Sequence, residues 1–469
     1  MIHNVRQVIA PQYPPPRPLR VAVVAPPWLA LPIKGYGGIE LVVEGLVRAL
    51  QQRDDVEVEL FANGARRMRN GTPTHSYYKR ELFDTIDDPY YDAPLQALQT
   101  HLNFALHAIE ADGNFDIIHD HNPYIGPAFF SPVSRIPGLP PVLHTFHGPP
   151  FSTPQTIEAG QMDNRPQLKY MNPGRLYMTC ISEAMARKAP REIRPHLLPA
   201  VHNAIDCNAF PFVSHKQNYY ITLARFTQDK GQATAVAYAA QYKKRLRMAG
   251  TVAGIGSNRK LLLELSNPLT NYRRNEEFRY YSDHILPAIL KHRRITYAGN
   301  LSGKKKLDFV ANAKALLFPI EWDEPFGMAV IEALACGTPV VAMKRGAMPE
   351  IITHGVNGFL ASNQDEFFAY ANRVDEIDPA ACRASCQQIV VLQACKRQIA
   401  LFAPAPPARH HRRPHLHRRP FAPNRSPAQH PQKRERHFIQ RLAKAHRPLF
   451  GASIRQRNGS NHLQNPAAL

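Results

Sequence analysis

The chain has 469 residues, too many for one ordinary core, and its 44% hydrophobic content suffices for two packed domains of about 150–200 residues. A net charge of +21 invites a nucleic-acid partner, but Arg383 to Leu469 hold 17 basic residues and one acid, against 41 and 36 in the first 382 residues. The body is therefore close to balanced, the basic character belongs to the tail, and a specific nucleic-acid reader is excluded. No apolar run reaches the roughly 18 residues of a membrane span. The six cysteines show no CxxC and fit neither a disulfide framework nor a zinc site, which leaves reduced, buried thiols.

Residues 1–18 read as a flexible segment, rich in proline (Pro14, Pro15, Pro16, Pro18) and without the apolar core of a signal peptide. The expected compartment is the cytoplasm, with peripheral membrane contact left open. The first domain spans 19–205. Leu19–Ala25 is an apolar run broken only by Arg20, as in a buried parallel strand. The glycine-rich loop Gly35-Tyr36-Gly37-Gly38 follows, then a helical pattern over Ile39–Gln52 and a strand over Val56–Ala62. That makes one βαβ unit. Further strands are expected at Asp116–His119, Val142–Phe146, Met178–Ile181 and Leu197–Val201.

The second domain spans 206–385 and restarts the alternation. Its expected strands are Tyr219–Ala224, Thr251–Ile255, Ile295–Ala298, Ala315–Phe318, Pro339–Met343 and Gly358–Ala361. Helices are expected over Gln232–Leu246, Pro325–Cys336 and Pro379–Ser385. The fold class is therefore α/β, with two Rossmann-like domains facing across a cleft. Residues 386–469 hold ten of the 43 prolines and many Arg and His. They cannot bury enough apolar area to fold alone and read as disordered or out of frame.

The most informative stretch runs from Glu321 to Ala342. Pro325 suits a first helical turn and Gly337 the position after the last. The amide groups at such a helix start make an anion site. Glu332 follows Glu324 by eight residues, roughly 12 Å if both are helical, which is too far for a glycosidase carboxylate pair. Arg225 and Lys230 follow the strand Tyr219–Ala224, where two cations can clamp a diphosphate. His144-Thr145-Phe146-His147-Gly148 ends another strand, with His144 and Phe146 on one face. His119, Asp120 and His121 also end a strand, but no further ligand completes a metal site. The Gly35 loop is no nicotinamide fingerprint, because the third glycine position is Glu40. Taken singly, each motif also has a plainer reading: solvated acids, loop charges, a capping histidine or tight-turn glycines.

Together these residues resemble the family-4 retaining glycosyltransferases of the GT-B fold, the glycosyl transferases of group 1, from about Leu19 to Ser385. The resemblance implies that Glu324 contacts the donor sugar and Glu332 the ribose of the nucleotide. It implies that the backbone of Phe326, Gly327 and Met328 faces sugar and diphosphate, and that Arg225 and Lys230 neutralise the leaving group. His147 becomes the active-site histidine near the sugar 6-hydroxyl. The Gly37-Gly38 loop lets the backbone approach donor and acceptor, and His119, Asp120 and His121 fall on the acceptor side. Asn203-Ala204-Ile205-Asp206 and Ser182-Glu183 match structural motifs. Ala204 and Ala224 stand where the family often has glycine.

The implied function is transfer of a hexose from a nucleoside-diphosphate sugar to a hydroxyl acceptor with retention of configuration. No cofactor or metal beyond the donor substrate is expected. A sugar-nucleotide epimerase of the same fold and an inactive sugar-nucleotide-binding relative are the alternatives. The sequence leaves the base, the sugar, the acceptor and the oligomeric state open.

Overall fold

The computed structural model describes residues 17–389 apart from 34–37, 65–66, 69, 83–91, 124, 149–150, 153–162, 164 and 204. Gly37 of the predicted glycine loop, Ala204, nearly all of residues 1–18 and residues 390–469 lie outside the described residues.

Two six-stranded sheets lie in one compact unit. The first contains β1 (Leu19–Val24), β2 (Val56–Phe61), β3 (Thr74–His75), β4 (Ile117–Asp120), β5 (Val142–Phe146) and β6 (Leu176–Cys180), in the order β3-β2-β1-β4-β5-β6. The second contains β7 (Tyr220–Leu223), β8 (Leu246–Ala249), β9 (Ile295–Gly299), β10 (Ala315–Phe318), β11 (Val340–Met343) and β12 (Gly358–Ala361), in the order β12-β11-β10-β7-β8-β9. Every pairing is parallel. Both sheets therefore reverse strand order at the same relative place, between β1 and β4 and between β7 and β10. Ligands of such sheets sit beyond the strand ends at that reversal.

Alternation explains how β1 is held. Val21 and Val23 join one hydrophobic cluster, while Ala22 and Val24 join the other. The helix Gly38–Gln51 buries Val43, Val47 and Leu50, a single stripe that packs on the first cluster.

Four expectations need correction. The helix over Gln232–Leu246 stops at Gln241, because Tyr242 caps it and Lys243 turns left-handed at φ 52°; Leu246 then opens β8. Thr251–Ile255 is not a strand, since Ala253 (φ 48°) and Gly254 (φ 70°) turn it back on itself. Leu197–Val201 only runs beside β6, with the Leu198 and Val201 amides donating to Met178 and Cys180. The helix expected from Pro325 begins at Met328, because Gly327 at φ 95° cannot be part of it. Gly337, at φ 74°, does follow the helix end.

The change of composition after Ser385 leaves the last helix intact over Pro379–Ile389, with Cys386 buried against the second lobe. All five described cysteines are buried free thiols. Among the described residues no helix is long and apolar enough to cross a membrane.

Gly231 has φ 67°, and a Cβ there would run into the carbonyl oxygen of Pro319, tying the end of β7 to the end of β10. Gly355 has φ 78° and open space around it. Gly231→Ala should lower unfolding free energy by about 1–3 kcal/mol, and Gly355→Ala by distinctly less. Equal losses in urea titrations of the two variants would remove the argument from close approach.

Candidate active site

Three contacts hold Glu324, which lies in the loop after β10. Lys230 Nζ lies 2.6 Å from its Oε2, and Trp322 Nε1 donates to the same oxygen at 2.9 Å. Lys230 also sits 4.4 Å from the centre of the Trp322 ring. The Ala347 amide donates to the Glu324 carbonyl at 2.9 Å, and Gly346 (φ 54°) lets that backbone approach. Glu324 precedes the helix, so the axial spacing from Glu332 expected for two helical residues does not apply.

Glu332 is inside the helix Met328–Ala335 and only 6% exposed. Lys306, from the helix Gly303–Ala311, reaches its Oε1 at 2.7 Å. At the helix start the Val330 amide already bonds back to the Gly327 carbonyl, leaving Met328 and Ala329 as the open donors. Phe326 is buried, and its ring lies 5.5 Å from that of His202. Arg225 is half exposed and turned onto Glu277 at 3.1 Å, away from Lys230's partner.

In the first lobe, the ends of β4 and β5 bring histidines together. His144 Nδ1 donates to Asp120 Oδ2 at 2.6 Å, both fully buried. His119 Nε2 is 2.8 Å from Thr145 Oγ1, and His121 Nδ1 is 2.8 Å from His147 Nε2. Burial, with the neighbouring histidines adding, pushes His119 and His147 down to about 3 and His121 well below its ordinary value. Among the described residues no three His, Cys, Asp or Glu converge to hold a metal.

A cavity of about 650 Å³ joins the two lobes. His119, His121 and His147 line it from one side, Met328 and Glu332 from the other, and Asn203 at the crossing. Arg225, Lys230, Glu324, Phe326, Gly327 and Gly38 do not line this cavity; Lys230 and Glu324 form a second group at the β7 and β10 ends.

The sequence profile of glycosyltransferase family 4 matches residues 36–209, and that of glycosyl transferases group 1 matches residues 208–377. The chain belongs to glycosyltransferase family 4. A glycosyltransferase of Methanocaldococcus jannaschii is 21% identical over 329 residues, 70% of this chain and 81% of that protein. D-inositol 3-phosphate glycosyltransferase of Mycolicibacterium smegmatis is 34% identical over 98 residues, but the match spans only 20% of this chain and 22% of that protein. Sucrose-phosphate synthase of Thermosynechococcus elongatus superposes with a TM-score of 0.58 at 18% identity, over 82% of this chain and 98% of the other. Anabaena HepE, solved with UDP-glucose, superposes with a TM-score of 0.53 at 18% identity over the same shares. These likenesses establish the GT-B fold.

Within this family-4 chain the lobes are also tied directly. The Glu350 carboxylate accepts from the amides of Glu183 (2.9 Å) and Ala184 (2.6 Å) and from His202 Nε2 (2.9 Å). Burial works to raise Glu350, but these bonds hold it below the ordinary carboxylate range. Ser182 caps the short helix that follows, and Asp206 caps the next turn, as structural motifs do. The sequence reading missed Lys306, Trp322, His202 and Glu350. Trp322, two residues before Glu324, had a usable signal in its indole donor. Lys306 is one of three consecutive lysines, and nothing local distinguishes it.

Two outcomes are expected. Lys306→Met leaves a buried carboxylate unpaired and should cost about 1–3 kcal/mol of stability. Adding Glu332→Gln should return part of it, and a strictly additive double variant would deny the coupling. The second concerns acid. His101 is pushed down to about 4 by burial, and His119 and His147 to about 3. The unfolded chain protonates near 6.5, so it binds more protons than the native state below that pH. Stability is therefore full above about 6.5 and falls toward 3, by about 1.4 kcal/mol per pH unit per group. Melting temperatures should drop between pH 7 and pH 4.5, and less steeply in His101→Gln; a flat profile would contradict neutral buried histidines.

Proposed function

We propose that this chain transfers a hexose from a nucleoside-diphosphate sugar to a hydroxyl acceptor with retention of configuration. One observation carries the reading: Met328 and Glu332 of the second lobe share a cavity with His147 of the first, and Lys230 and Glu324 stand at the strand-order reversal next to the same helix start. The volume, about 650 Å³, suits a ligand of that size. Anabaena HepE, of the same fold, was solved with UDP and with UDP-glucose.

The chemistry follows from charge. A diphosphate competes with Glu324 for Lys230, and Arg225 can leave Glu277 for it. The open amides of Met328 and Ala329 take phosphate oxygens at the positive end of the helix. Released from Lys230, the Glu324 carboxylate accepts from sugar hydroxyls, with Trp322 still orienting it. Glu332 accepts from ribose hydroxyls with one oxygen while Lys306 occupies the other. His147 meets the sugar from the opposite wall. The bond from the anomeric carbon to the diphosphate breaks, and the acceptor oxygen bonds to that carbon on the same face. The acceptor's proton leaves with the diphosphate. Preorganised cations and amides stabilise the departing charge.

A thermal-shift panel of uridine, guanosine and adenosine diphosphate sugars should show one clear stabiliser. With that donor, Lys230→Ala and Glu324→Gln should lower turnover on the order of 10²–10³-fold with unchanged circular dichroism. Wild-type turnover in both variants, or an epimerised sugar nucleotide from donor alone, would overturn the assignment.

A further inference from the structure

The histidine cluster contains more information than the presence of His147. A neutral imidazole has one N–H and one bare nitrogen, and which is which is set by its partners. His101 shows the rule in this molecule. Its Nε2 lies 2.8 Å from the carbonyl oxygen of Ala25, which can only accept, so Nε2 carries the proton. The nitrogen left buried without a partner is Nδ1, the bare one. His144 follows the same pattern: Asp120 fixes its proton on Nδ1, and the unpartnered nitrogen is Nε2. A buried bare nitrogen costs less than a buried N–H with no acceptor.

His121 is 1% exposed, and its Nε2 is buried without a partner. Its Nδ1 lies 2.8 Å from His147 Nε2. Were His147 the donor in this bond, His121 would have to hold its proton on Nε2, as an orphaned buried donor. The cheaper arrangement has His121 Nδ1–H donating and His147 Nε2 accepting. The remaining proton of His147 is then on Nδ1, which has no partner among the described residues. His147 is half-buried and lines the inter-lobe cavity.

We propose that His121 is a positioning residue: its Nδ1–H bond to His147 Nε2 locks His147 as the Nδ1–H tautomer, which offers a hydrogen-bond donor to an oxygen of the bound sugar. This rests on the glycosyl-transfer reading only for the identity of the ligand. The tautomer itself follows from the protein alone. The pair also selects for chemistry: a sugar carrying a lone-pair oxygen at that point is accepted, whereas one carrying an ammonium group meets a donor head-on and is disfavoured. His119, whose ring centre lies 4.2 Å from that of His121, packs against it and keeps the pair in place.

The test uses the full-length protein labelled with ¹⁵N-histidine. Long-range ¹H–¹⁵N correlations should show His147 protonated on Nδ1, against the preference of free imidazole for Nε2. His121→Phe keeps ring volume but removes the donor, and should return His147 to Nε2–H. His121→Asn places an amide N–H where Nδ1 stood, and should retain the Nδ1–H signature. Turnover of the donor chosen by the shift panel should fall about tenfold in His121→Phe and recover most of that loss in His121→Asn. Nucleoside diphosphate affinity should shift less than turnover in both. A wild-type His147 protonated on Nε2, or a tautomer indifferent to His121→Phe, overturns the proposal. If the Phe variant does not fold, the wild-type spectrum and the Asn variant decide it. If no nucleoside diphosphate binds the wild type, the donor reading fails while the tautomer result stands.

Discussion

Two acids withdrawn from water, Glu332 in the inter-lobe cavity and Glu324 at the ends of β7 and β10, are held there because each has a lysine within 2.7 Å. A carboxylate placed there alone would lose its hydration and gain nothing in return. The pairing lets the second lobe keep two strong acceptors at the strand-order reversal and the helix start. The two pairs differ in kind. Lys230 comes from the loop after β7, and in the proposed reading the donor's diphosphate draws it away from Glu324. Lys306 projects from a packed helix onto a carboxylate that is only 6% exposed, so it serves as a fixed support.

At the ends of β4 and β5 the first lobe meets this arrangement with neutral histidines. Its histidines are buried against one another, and burial holds three of them far below the pH at which imidazole usually titrates. A neutral imidazole is direction-sensitive in a way an imidazolium is not, because one nitrogen donates and the other accepts. The cavity therefore meets the Glu332 carboxylate on one side and, on the other, the oriented dipoles of the histidines together with the Glu44–Arg48 ion pair of the helix Gly38–Gln51. Glu350, by accepting from two first-lobe amides and His202, keeps the two sides in register.

Most of the fold was legible along the chain. The apolar runs of β10 and β12, and of β1 after Arg20, announce buried parallel strands, because a strand covered on both faces needs no alternation. The failures cluster where backbone conformation overrides pattern. Lys243 and Ala253 adopt positive φ, and Gly327 displaces the helix start by three residues from Pro325. Apolar periodicity carries no trace of such turns.

By itself the sequence determined the two α/β halves, the acids Glu324 and Glu332, the cations Arg225 and Lys230, and His147 at a strand end, since each depends on residue type and short-range spacing. Only the tertiary structure decided their partners. Lys306 lies 26 positions before Glu332 and Lys230 lies 94 before Glu324. His121 and His147 are likewise 26 residues apart, each just past the end of one of the neighbouring strands β4 and β5. Those contacts exist because parallel strands bring distant loops to one edge of a sheet, and a distance created by chain crossover leaves no local mark in the residues it joins.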